Sequence, residues 1–124
     1  VTLPSALAAP TFSTLASSPY LRTRVQLARQ GEYGDYWVLG YAQTGRSVSV
    51  QYSAAYLGAS AVDFSFPEFS ALAGWQDVWG PLSGAQTTWH ASASGWALGG
   101  GGFSSPYIEG TVIRSGARTG EFTP

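Results

Sequence analysis

Cysteine is absent from this chain, and so are methionine, lysine and asparagine. Without thiols there can be no disulfide, no zinc–thiolate or iron–sulfur site and no cysteine nucleophile. A single histidine, His90, leaves too few imidazoles for most metal centres and proton relays. Charge is also scarce, at 10% of 124 residues with a formal net charge of -1, so the chain offers no general attraction for nucleic acid. No apolar run is long enough for a membrane-spanning helix, and none is expected. The absence of methionine extends to position 1, and Val1 is accordingly read as a processed or trimmed end. Together with a composition rich in Ser, Thr and Gly, this points to an extracytoplasmic location, in the periplasm or at the cell surface.

What the chain does contain is apolar and aromatic: 44% hydrophobic residues, with five Trp, seven Tyr and six Phe. A chain of this length buries roughly two-thirds of the surface its unfolded form exposes, enough for one core without covalent staples. Residues 1–19 carry Pro4, Pro10 and Pro19 among small side chains and read as an extended leader arm, leaving 20–124 as a single domain. The competing reading of the leader is that Thr11 to Ala16 pairs as the first strand of that domain.

Beyond the leader the hydrophobic period is two. Leu21, Thr23, Val25 and Leu27 alternate with Arg22, Arg24 and Gln26, the pattern of a half-buried strand with a cationic outer face. Tyr36 to Gln43 is apolar on both faces, as an inner strand should be. Thr44-Gly45 makes a two-residue connection, with Gly45 free to take positive φ, and Ser47 to Ala54 alternates Val48, Val50 and Tyr52 with polar residues. These two segments are predicted to form a hairpin. Further strands are predicted over Ala61 to Phe66, Trp75 to Trp79, Gln86 to Ala93 and Tyr107 to Arg114, with Trp37, Phe64, Phe66 and Trp89 facing inward. Pro67 to Gly74 breaks the alternation with Pro at a helix start and Gly at a helix end, which predicts one or two helical turns crossing between sheets, Phe69 and Leu72 plugging the edge. Ser115 to Pro124 carries little signal. About seven short strands, one short helical crossover and no βαβ spacing predict an all-β antiparallel β-sandwich of immunoglobulin-like type, ahead of a small barrel.

Catalytic constellations are not in evidence. His90 alternates with Trp89 and Ala91 and so points away from the core, and no G-x-S-x-G elbow accompanies it. The seven carboxylates are dispersed singly, the calcium-loop pattern is missing around Glu32 and Asp35, and Gly99 to Gly102 lacks the Lys-Ser/Thr of a phosphate loop and reads as a flexible loop. We therefore expect no catalytic residues, no cofactor and no metal. Binding residues are expected instead. Leu3, Leu7, Phe12 and Leu15 would anchor the leader on a partner, Arg22 and Arg24 would meet acidic protein surface or phosphate, and Trp75, Trp79, Trp96 and Tyr107, at strand ends and in loops, would form an aromatic interface. The function this implies is a non-enzymatic accessory or scaffold subunit that docks on a protein partner in a larger envelope or membrane assembly. The alternative is a carbohydrate-binding or surface adhesion module that stacks glycan on exposed Trp and Tyr. A coplanar exposed aromatic row would favour glycan, and a scattered aromatic rim with an ordered leader would favour protein.

Overall fold

A computed structural model of the chain describes residues 3–57, 61–97 and 109–124. Among these residues seven strands are joined by turns, one short helix (Ala54–Leu57) and a long crossing between the fifth and sixth: β1 Thr11–Ala16, β2 Arg22–Leu27, β3 Tyr36–Gln43, β4 Arg46–Ser53, β5 Val62–Ser65, β6 Thr87–Ala97 and β7 Val112–Phe122. They form two antiparallel sheets, a three-stranded one ordered β1-β2-β5 and a four-stranded one ordered β4-β3-β6-β7. The structure is all-β with the two sheets packed on one core, consistent with a β-sandwich. Val25, Leu27 and Val62 from one sheet meet Trp37, Leu39, Tyr41, Ala91 and Ala93 from the other, and Trp37 at the centre is 0% exposed. Phe64 and Trp89 are half-buried against this core, and Phe66 is buried at its rim.

The hairpin predicted around Thr44-Gly45 is present. Gly45 takes φ +73, and β3 pairs with β4 in one unbroken register from Gln43↔Arg46 to Tyr36↔Ser53. His90 is exposed on the outer face of β6, as its alternation with Trp89 predicts.

Four segments differ from expectation. The leader contains β1, which pairs with β2 from Thr11↔Gln26 to Ala16↔Arg22, so the first-strand reading of this segment is the one the fold displays. Upstream of it, Leu7 is 3% exposed within the core, and the Arg118 guanidinium and Tyr33 hydroxyl donate to the carbonyls of Leu7 and Ser5. Pro67 to Gly74 forms no helix; its backbone makes isolated turns closed by Leu72 N–H on the Phe69 carbonyl and Trp75 N–H on that of Leu72. Leu72 projects outward at 57% exposure and plugs nothing. Trp75 to Trp79 is no strand: Asp77–Trp79 is a single 3-10 turn, because the Asp77 carboxylate draws in the Ser70 hydroxyl and the Trp75 indole and folds the segment on itself. The last strand lies later than predicted, over Val112–Phe122 in place of Tyr107 to Arg114, and so takes in most of the tail. The Gly99 to Gly102 run falls outside the described residues.

Candidate docking groove

The chain crosses from β5 in one sheet to β6 in the other through residues 66–86, and this crossing carries the most exposed apolar surface clustered in one described segment. Leu72, Val78 and Trp79 are 57%, 67% and 55% exposed, and Leu82 is also exposed. Large apolar side chains on a loop ordinarily collapse inward to escape water. These stay out because the loop is braced beneath them. The buried Tyr20 hydroxyl accepts from the Phe69 N–H (2.5 Å) and donates to Glu68 Oε1 (3.0 Å). Glu68 Oε1 in turn accepts the Ser70 N–H (3.0 Å), and Asp77 Oδ1 accepts from Ser70 Oγ (2.8 Å) and Trp75 Nε1 (3.1 Å). The Leu21 N–H donates to the Pro81 carbonyl (2.7 Å) at the far end. The bonds to the Glu68 and Asp77 carboxylates are charge-assisted and so stronger than neutral ones, and together the set fixes the loop's shape. The Ser70 N–H, with the Tyr20 hydroxyl and Arg22 assisting, holds the Glu68 carboxyl below the usual carboxylate range.

Against the loop runs β4, an outer strand of the four-stranded sheet. Arg46 spans the gap, donating from Nε (3.2 Å) and Nη2 (2.9 Å) to the Val78 carbonyl. Between loop and strand lies a groove of about 330 Å³, with Arg46, Ser47, Val48 and Ser49 on one side and Phe66, Phe69, Trp75, Trp79 and Pro81 on the other. Its aromatic wall is a chain of edge contacts: Phe69 to Trp75 at 5.0 Å and 50°, and Trp75 to Trp79 at 5.7 Å and 87°. Rings at such angles form the sides of a notch and not a flat platform. Arg46 has no carboxylate partner among the described residues.

Of the residues singled out from the sequence, Trp75 and Trp79 are brought together here. Trp96 sits elsewhere, half-buried beside a separate cavity of about 370 Å³ shared with Arg29, Asp35 and Arg114, and its backbone N–H donates to Asp35 Oδ2 at 2.6 Å. Leu7 is buried in the core and Phe12 is packed between Tyr41 and Phe122, so neither is presented to a partner, whereas Leu3 and Leu15 are exposed. The basic stripe is neutralised within the chain. Arg24 binds Asp63 through two bonds of 2.8 and 2.5 Å, which lowers the Asp63 pKa and raises that of Arg24, and Arg22 donates to the Phe66 carbonyl and Glu68. Tyr107 lies outside the described residues. No residue pattern links Arg46 or Pro81 to the tryptophans, because only the tertiary fold sets β4 beside the crossing.

Among the described residues no three His, Asp or Glu side chains cluster in a way that could hold a metal ion, and no helix is long and apolar enough to cross a membrane. Compared with family models, curated proteins and solved structures, the chain has no significant match.

Proposed function

We propose that this protein is a non-enzymatic binding module of immunoglobulin-like type that acts outside the cytoplasm, docking as an accessory or scaffold subunit on a larger envelope or membrane protein assembly. The observation that carries the reading is the braced crossing. Trp79, Val78 and Leu72 are held in water by a hydrogen-bonded frame, and a fixed apolar surface of this kind is the anatomy of an interface core whose ordering cost is already met. The near-perpendicular Trp75 and Trp79 rings support protein over glycan, since a sugar chain stacks best on a coplanar row. The Cys-free, low-charge composition supports the extracytoplasmic placement.

Trp79→Ser and Val78→Asp, each on the surface, should leave the thermal midpoint within a few degrees while removing the protein from a high-molecular-mass complex in native gels of solubilised envelopes, because aromatic anchors at interface centres contribute about 2 kcal/mol or more. Unchanged co-migration of both variants overturns the assignment of the groove. Binding of soluble glycans to wild type that Trp79→Ser abolishes would select the carbohydrate reading.

A further inference from the structure

We propose that the groove takes its partner as an added strand: an extended polypeptide segment pairs with the outer rim of β4, sets an apolar side chain into the notch of Trp75 and Trp79, and places a carboxylate on Arg46. This rests on the docking reading above and names the class of its occupant.

The register of the hairpin decides which backbone groups of β4 face outward. With Gln43 and Arg46 closing a two-residue turn as a hydrogen-bonded pair, the antiparallel alternation turns the N–H and C=O groups of Ser47, Ser49 and Gln51 away from β3. No strand covers that rim among the described residues. Open edges are hazards that folded proteins blunt, and the other three outer strands here are blunted. β1 has a register shift between Thr14 and Ala16. β5 is four residues long and carries Asp63 tied to Arg24. β7 carries Arg114, Arg118 and Glu121. β4 alone is eight residues long, regular, free of proline and charged only at Arg46. An edge left open beside an apolar notch is the arrangement used in strand addition, where main-chain bonds give affinity and side-chain pockets give specificity.

The geometry selects among occupants. A rim of alternating donors and acceptors at strand spacing matches a polypeptide backbone and not a sugar chain or a lipid surface. A second copy of β4 brings no carboxylate to Arg46 and no free apolar side chain to the notch, because Val48 and Val50 pack against their own core and Tyr52 is buried and stacked on Tyr56. The complementary partner is a different chain, whose extended segment holds an apolar residue near an Asp or Glu.

The test uses the full chain and a display library of linear peptides as the probe. Enriched peptides should pair an apolar residue with an acidic one, and on binding should protect the Ser47, Ser49 and Gln51 amides from exchange. Ser49→Pro removes an outward N–H without removing a bond of the β3–β4 ladder, and Arg46→Gln removes the cation; each should weaken the selected peptide by about tenfold or more. N-methylation of the peptide's own backbone at the amides that face β4 should do the same on the unaltered protein, which covers the case in which Ser49→Pro fails to fold. If Trp79→Ser abolishes binding while Ser49→Pro and N-methylation leave it unchanged, the groove docks partners but strand addition is wrong. If no peptide is enriched, or the bound peptide protects amides elsewhere, the proposal falls. If sedimentation shows a dimer that Ser49→Pro dissolves, the occupant is a second copy and the partner assignment is overturned.

Discussion

Two hydroxyls sit in the core without a full complement of hydrogen bonds. Thr23 on β2 is 0% exposed and Tyr41 on β3 is 3% exposed, and neither Oγ1 nor OH makes a hydrogen bond of normal geometry. Burial pushes the Tyr41 phenol up, with the Thr23 hydroxyl opposing the shift. A buried polar group left short of partners costs about 1–3 kcal/mol, whereas replacing both members of a weak pair by apolar groups of the same shape is neutral or stabilising. The double variant Thr23→Val with Tyr41→Phe should therefore be at least as stable as wild type, with a gain of about 1 kcal/mol read from the urea midpoint at unchanged slope. A loss of more than about 1 kcal/mol would mean that the two hydroxyls satisfy one another in the core. The neighbouring Trp37 should behave in the opposite way. Its Nε1 is also unpaired, but its ring fills the centre of the core, so truncation would leave a cavity that outweighs the relieved donor.

Among the elements, those whose side chains alternate in the sequence were legible and those built on glycine were not. β3 and β4 announce themselves through Trp37, Leu39 and Tyr41 against Val48, Val50 and Tyr52, with Gly45 at the turn. β7 hides because its inward positions include Gly116 and Gly120, where a Cβ would lie 2.8 Å from the Tyr33 hydroxyl and 2.5 Å from the Trp89 ring. The aromatic mass on that part of the face comes from other elements, so a pattern read along β7 alone finds nothing to alternate. The crossing departs from the helix its residues suggest for a related reason: Pro67 and Gly74 suit a helix, but the Asp77, Glu68 and Tyr20 hydrogen bonds that shape the loop connect residues far apart or of no periodic pattern. The tryptophans of the candidate site were legible as unusual residues, and their partner β4 was not. The leader is the element on which this matters most. β1 supplies an outer strand, Leu7 fills the core, and Phe12 stacks on Phe122 at 4.5 Å and meets Tyr41 at 6.2 Å. Deleting residues 1–17 should consequently lower the thermal midpoint by ten degrees or more, since losing the buried Leu7, the half-buried Phe12 and an outer strand costs about 4 kcal/mol or more in a chain of this size. A midpoint within a few degrees of wild type would return the segment to the role of a detachable arm.

At the scale of the whole molecule, ionisable groups bound the pH range over which the fold holds together. The carboxyls of Asp63 and Glu68 both titrate below their ordinary range, Asp63 through its bonds to Arg24 and Gln26 and Glu68 through the Ser70 N–H. A carboxyl whose folded pKa lies below its unfolded value stabilises the fold above the unfolded value, and that stabilisation is lost as pH falls through the folded pKa. The tyrosines act at the other end. Burial raises the phenols of Tyr41 and Tyr52, with Tyr56 and Asp63 adding to the shift at Tyr52. A raised phenol leaves stability intact below the unfolded pKa of about 10 and withdraws it as pH rises beyond that. Both acid-sensitive carboxylates are on the exposed outer side, where salt screens them, while the tyrosines are shielded by the core. The midpoint measured across pH should accordingly show a plateau through neutrality, a shallow acid limb and a steeper alkaline limb, with only the acid limb flattened by added salt. In Asp63→Asn the acid limb should become shallower still and the alkaline limb should stay, because Asp63 contributes only the last of the three causes acting on Tyr52 and none on Tyr41. An acid limb that Asp63→Asn and added salt both leave untouched would show that the Arg24–Asp63 bridge, for all its two close contacts, does not couple the three-stranded sheet's stability to pH.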